Sequence, residues 1–99
     1  MVKLRPFDAS RYLDTEDAVA GYLAEALETN DAEFIAEAIG TVARARGMTQ
    51  LAKTSGMSRE QLYRSFGRGG NPTLKTMLRV MKAMNVTLTA TPATAESAT

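Results

Sequence analysis

The stretch GMTQLAKTSGMSREQLYRSF, residues 47–66, places Ser58, Arg59, Glu60, Gln61, Tyr63 and Arg64 within seven positions, just after a glycine. These side chains carry the chemistry that reads base edges. Arginine bonds guanine bidentately, glutamine reads adenine, glutamate accepts from cytosine, and an aromatic ring can meet a thymine methyl. Such contacts need the residues on the first turns of a helix that can enter a major groove.

The neighbouring residues supply that helix. Gly56 can adopt the left-handed conformation that closes one helix without a Cβ clash. Ser58 and Gln61 then form a capping box, S-R-E-Q, that opens the next. A short helix over about 49–55, turned inward through Leu51 and Ala52, precedes a second that runs from 58 to about Phe66. Packed through Met57 and Leu62, the two make a helix-turn-helix. The candidate base readers are Arg59, Glu60, Tyr63 and Ser58. Each also has a plainer role: Arg59 as a solvated helix arginine, Glu60 as a complement to the helix dipole, Tyr63 as a packing ring. Gln61 at the third helical position reads as structural. Candidate phosphate contacts are Thr49, Gln50, Arg64, Arg68, Asn71 and Thr73, at helix starts and in the loop that follows. Turn and cap chemistry accounts equally for Asn71-Pro72-Thr73.

Composition narrows the alternatives. Ninety-nine residues suffice for one domain with one modest core. With no histidine and no cysteine, zinc sites and His- or Cys-dependent catalysis are excluded within this chain. Absent disulfides fit a cytoplasmic protein. No apolar run approaches a membrane span, and MVKLRPFDASRYLD has no signal-peptide core. Gly67-Arg68-Gly69-Gly70 is too short for a phosphate loop. No cofactor, metal or small-molecule substrate is expected.

The net charge of +1 conceals a division. Residues 1–42 carry three basic and nine acidic side chains, a net of −6; residues 43–99 carry nine and two, a net of +7. One half suits a polyanion and the other a basic partner, although solvated helix faces would look the same.

The remaining pattern is helical. Asp14 or Thr15 can cap a first helix with Glu16 and Asp17 in its first turn. Its stripe is Ala18, Val19, Tyr22, Leu23, Ala26 and Leu27. Asn30 opens N-D-A-E, a capping box with Glu33, before a second helix with Phe34, Ile35, Ala38, Ile39 and Val42 that Gly47 stops. Thr73 caps a fifth helix with Leu74, Met77, Leu78, Met81 and Met84 on its inner side. VTLTAT alternates with period two, which predicts a short strand over 86–91. Residues 92–99 read as a disordered tail after a single domain of residues 1–91.

In GMTQLAKTSGMSREQLYRSF the chain resembles the helix-turn-helix of the Xre/phage-repressor superfamily. The usual T-Q-x-x-L-A is shortened to T-Q-L-A at Thr49–Ala52. With RPFDASRYL, the acidic first helix, GNPTLKTMLRVMKAM and the terminal strand, the whole order is similar to HigA-like addiction-module antidotes, over about residues 4–90. The resemblance implies an all-α fold, a five-helix Xre/lambda-repressor-like helix-turn-helix domain with a short C-terminal β-strand. It also implies no enzyme activity, binding of operator DNA as a homodimer, and neutralisation of a RelE/HigB-like mRNA-cleaving toxin. The acidic region 1–30 is then the candidate toxin contact, with Phe7, Tyr12 and Leu13 as anchors and Glu16 and Asp17 as charged partners. Val86, Leu88 and Met84 are the candidate dimer residues. Competing readings are a stand-alone phage-type repressor and a protein adaptor that has lost DNA binding.

Overall fold

A computed structural model of the protein describes residues 13–93. Those residues form five helices: α1 Glu16–Glu28, α2 Ala32–Arg46, α3 Met48–Ser55, α4 Arg59–Ser65 and α5 Leu74–Ala83. The all-α expectation and the helix count agree with this. The expected strand does not: residues 86–91 have no regular secondary structure, and among the described residues there is no strand. The physical reason is that a lone extended segment has no ladder to join.

The helix boundaries follow local chemistry. Thr15 caps α1, its hydroxyl accepting from the Ala18 N–H at 3.0 Å. The start of α2 differs from the expected capping box. Asn30 takes the left-handed conformation (φ 56°), and Asp31 becomes the cap, accepting from the Phe34 N–H at 3.1 Å. Asparagine tolerates that conformation better than most residues, so the helix begins one position later. Glu33 then falls outside the reciprocal bond. Gly47 ends α2 as expected.

The core gathers Leu13, Val19, Leu23, Ile39, Val42, Leu51, Met57, Leu62, Phe66, Val80, Met81 and Met84. Helix α1 packs on α2; α3 packs on α2, α4 and α5; α4 also meets α2. The inner face of α5 departs from the expected stripe. Leu74 and Leu78 are 63% and 46% exposed, while Val80, Met81 and Met84 are buried and Met77 is half-buried. Leu74 and Leu78 share their side of the helix with Lys75 and Lys82. Burying that side would take two ammonium groups out of water, which is far costlier than exposing two leucines.

Two candidate contact residues also belong to the core. Leu13 is 1% exposed and Met84 4%. Leu13 is thus a core side chain rather than a surface anchor, and Met84 packs within its own subunit. The reason is the same for both: each packs into the apolar cluster that the chain's own helices enclose.

Past α5, Asn85 turns through φ 62° and the Val86 N–H bonds the Met81 carbonyl at 3.0 Å. The Asn85 amide also donates to the Glu16 carboxylate at 2.8 Å. The segment leaving α5 is thereby held against the start of α1.

Candidate nucleic-acid interface

Helices α3 and α4 are separated by Gly56-Met57-Ser58. Gly56 sits at φ 76° and ψ 17°, the left-handed conformation, with its N–H on the Ala52 carbonyl at 3.0 Å. A side chain here would be strained whatever the space around it. Ser58 restarts the helix through the full capping box: its hydroxyl accepts from the Gln61 N–H at 3.0 Å, and the Gln61 side-chain oxygen accepts from the Ser58 N–H at 2.9 Å. Gln61 is thus engaged in holding the helix start, as the sequence indicates.

The buried side of this pair is Leu51, Met57, Leu62 and Phe66. With Leu62 completely buried, the rotation of α4 is set. Arg59, Glu60, Tyr63 and Arg64 then share its solvent side. Arg59 and Tyr63 are one turn apart, and the guanidinium carbon lies 5.9 Å from the ring centroid. That cation–π contact leaves the guanidinium edge, with its donors, free for a planar acceptor. It pre-orders two long side chains and lowers the entropy either loses on binding. The four side chains together offer two cationic forks, one carboxylate and one phenol on a single helical face.

The other candidates lie around this face. Thr49 and Gln50 are exposed in the first turn of α3. The Gln50 amide donates to the Thr54 hydroxyl at 3.3 Å, and that hydroxyl donates to the Gln50 carbonyl at 3.0 Å. Asn71 is exposed in the loop before α5. Thr73 caps α5, accepting from the Thr76 N–H at 3.1 Å, so its hydroxyl oxygen already has a structural partner. Arg68 is exposed beyond α4. With Glu37, Thr41, Arg44, Phe66 and Gly67 it lines a depression of about 380 Å³. This brings Arg44, 24 positions earlier, beside Arg68.

Arg79 carries a role that residue pattern did not reveal. One of its guanidinium nitrogens donates to the Ser55 carbonyl at 3.0 Å and the Gly56 carbonyl at 3.3 Å. Those carbonyls end α3, where backbone acceptors are left without helical partners. Arg79 therefore ties α5 to the turn between α3 and α4, and positions α4 from behind. A lone arginine on a helix gives no sequence signal for such a contact.

The remaining assignments separate. Phe7 and Tyr12 lie outside the described residues. Glu16 and Asp17 are exposed in the first turn of α1, Glu16 with its bond to Asn85. Val86 and Leu88 are half-buried against the core. Among the described residues, no group of acidic side chains could hold a metal ion, and no helix is long and apolar enough to cross a membrane.

Residues 3–92 match a family model described as "Probable addiction module antidote protein". An uncharacterised protein of Haemophilus influenzae is 43% identical over 84 residues, 85% of this chain and 87% of that one. No solved structure matches the chain.

Proposed function

Since the chain belongs to the family of probable addiction-module antidote proteins, which is not an enzyme family, we propose that it couples two binding activities. It neutralises a toxin by direct contact, and it binds operator DNA through α3 and α4 as an Xre-type helix-turn-helix, repressing its own operon as a homodimer in the cytoplasm. The observation that carries the DNA half is the face of α4. Arg59, Glu60, Tyr63 and Arg64 are exposed together on a short helix whose opposite side is locked by Leu62. In this reading Arg59 and Glu60 read base edges, Tyr63 and Ser58 make neighbouring contacts, and Arg64, Arg68, Thr49, Gln50, Asn71 and Thr73 meet phosphates. A stand-alone repressor would share that face; membership of an antidote family favours a toxin-linked one.

The test is a fluorescence-anisotropy titration with the DNA upstream of the gene, over several salt concentrations. Wild-type protein should prefer that DNA over a scrambled duplex. Arg59→Ala should lose about 1–3 kcal/mol of that preference, the scale of one bidentate base contact. Equal affinity for both duplexes at every salt concentration would reject sequence reading by α4.

The toxin half rests on charge. A RelE/HigB-like toxin that grips RNA is expected to be basic, and residues 1–42 carry a net −6. Phe7 and Tyr12 are the proposed anchors, with Glu16 and Asp17 as the charged partners; Leu13 is excluded by its burial. A truncation to test this must therefore stop at Tyr12. Removing residues 1–12 should abolish copurification of a co-expressed basic neighbour-gene product while DNA affinity stays unchanged. Undiminished copurification would overturn the assignment.

A further inference from the structure

Gln61 is the one side chain of α4 suited to adenine, and the capping box has taken it. A glutamine reads adenine with its oxygen on N6 and its amide nitrogen on N7. Here that oxygen accepts from the Ser58 N–H at 2.9 Å, while the Ser58 hydroxyl accepts from the Gln61 N–H at 3.0 Å. Turning Gln61 toward a base would undo the start of a seven-residue helix. The side chains left to specify bases on the exposed side of α4 are Arg59, Glu60 and Tyr63.

These three fall in two rows. Arg59 and Tyr63 are four residues apart, hence about 6 Å along the axis and on one line of the helix. The Arg59 guanidinium carbon lies 5.9 Å from the Tyr63 ring centroid, so the ring supports the guanidinium. Glu60 is turned about 100° from Arg59 and heads the second row. A helix lying in a major groove with Arg59 toward one strand therefore carries Glu60 toward the other. The two rows also differ in chemistry. Arg59 presents only donors, and guanine is the base with two acceptors, O6 and N7, side by side. A carboxylate presents only acceptors, so the lone pairs of guanine O6 and N7, thymine O4 and adenine N7 repel it. Cytosine alone offers an amino donor with no acceptor beside it in that groove.

We infer that α4 selects a G·C core in each operator half-site. Arg59 takes a guanine on one strand, Glu60 takes the amino group of a cytosine on the other, and α4 reads no adenine. The inference rests on the DNA-binding reading above and names the base pairs that this face selects. It gives Glu60 a role beyond complementing the helix start. A carboxylate facing a phosphate-lined groove adds little attraction, but it penalises every base that turns lone pairs toward it. Specificity gained by such repulsion needs no gain in affinity for the right base. Tyr63 acts through Arg59, holding its guanidinium where the guanine edge arrives.

Selection of binding sequences from a randomised duplex pool, run with the full chain, tests this. The wild-type consensus should hold the guanine and the cytosine. Glu60→Gln keeps the length of the side chain and adds a donor, which suits adenine. It should change the preferred base at the cytosine position to adenine, by about fivefold or more, and leave the guanine in place. Glu60 is exposed, so the variant should keep the helical circular dichroism of the wild type. A second probe is 7-deazaguanine, which pairs normally but lacks the N7 acceptor. Placed at the consensus guanine, it should weaken wild-type binding by about fivefold or more and leave Arg59→Ala binding unchanged. One consensus shared by wild type and Glu60→Gln overturns the inference while sequence reading by the chain stands. So does a 7-deazaguanine penalty equal in wild type and Arg59→Ala. No enrichment from the pool at all rejects sequence reading itself, and the inference with it.

Discussion

Gly40→Ala should destabilise the protein by about 2 kcal/mol or more, although the same substitution at Gly21 should stabilise it. Both glycines lie inside helices, where alanine gains up to about 1 kcal/mol of intrinsic propensity. What separates them is the space for one methyl group. A Cβ on Gly21 would meet nothing within 4 Å; one on Gly40 would lie 1.9 Å from the Phe66 carbonyl oxygen. That neighbour is backbone and cannot rotate away. Overpacking of this kind costs about 1–3 kcal/mol and sometimes more, and a contact this short calls for the upper end. Subtracting the propensity gain leaves a net loss of about 2 kcal/mol. In a domain of this size that lowers Tm by on the order of 10 °C. Thermal denaturation followed by circular dichroism checks both signs, and an unchanged or raised Tm for Gly40→Ala would refute the close α2–Phe66 approach. The approach matters because Phe66, 1% exposed, caps the end of α4. The glycine of α2 thus sets how near the proposed recognition helix sits to the core.

Leu62→Ala should lose both stability and DNA binding, whereas Tyr63→Ala, one position along, should lose DNA binding alone. Leu62 is completely buried and is the buried residue of seven-residue α4. Truncating a buried leucine costs about 2–5 kcal/mol, depending on how far the site collapses. So short a helix has little stability apart from its packing, and loosening Leu62 frees the rotation that keeps Arg59 and Arg64 outward. Tyr63 is 44% exposed, and substitutions at such positions usually fall within about 0.5 kcal/mol. Thermal melts beside anisotropy titrations distinguish the pair. A Leu62→Ala protein that melts like wild type would mean α4 is held by something other than this side chain.

The exposed leucines of α5 illustrate how packing chooses among faces that a sequence leaves open. Leu74, Met77, Leu78, Met81 and Met84 form a consistent helical stripe, and so do Met77, Val80, Met81 and Met84. The lysines at 75 and 82 decide between them, as does the reach of Arg79 to the turn after α3. Both depend on what lies opposite the helix.

Local chemistry in the sequence was enough to determine the five helices, the break at Gly56, the capping box of Ser58 and Gln61, the cap at Thr73 and the stop at Gly47. Each is decided by residues within four positions, through left-handed glycine conformations and side-chain capping bonds that form in any context. The exposed residue set of α4 was equally legible, since one buried leucine fixes the rotation of so short a helix. Tertiary structure alone decided the rest. It placed Leu13 inside, left 86–91 without a ladder, turned Leu74 and Leu78 outward, and brought Arg79 to carbonyls 23 and 24 positions away. These outcomes depend on which surfaces meet across long separations in the chain, and short-range spacing holds no record of that.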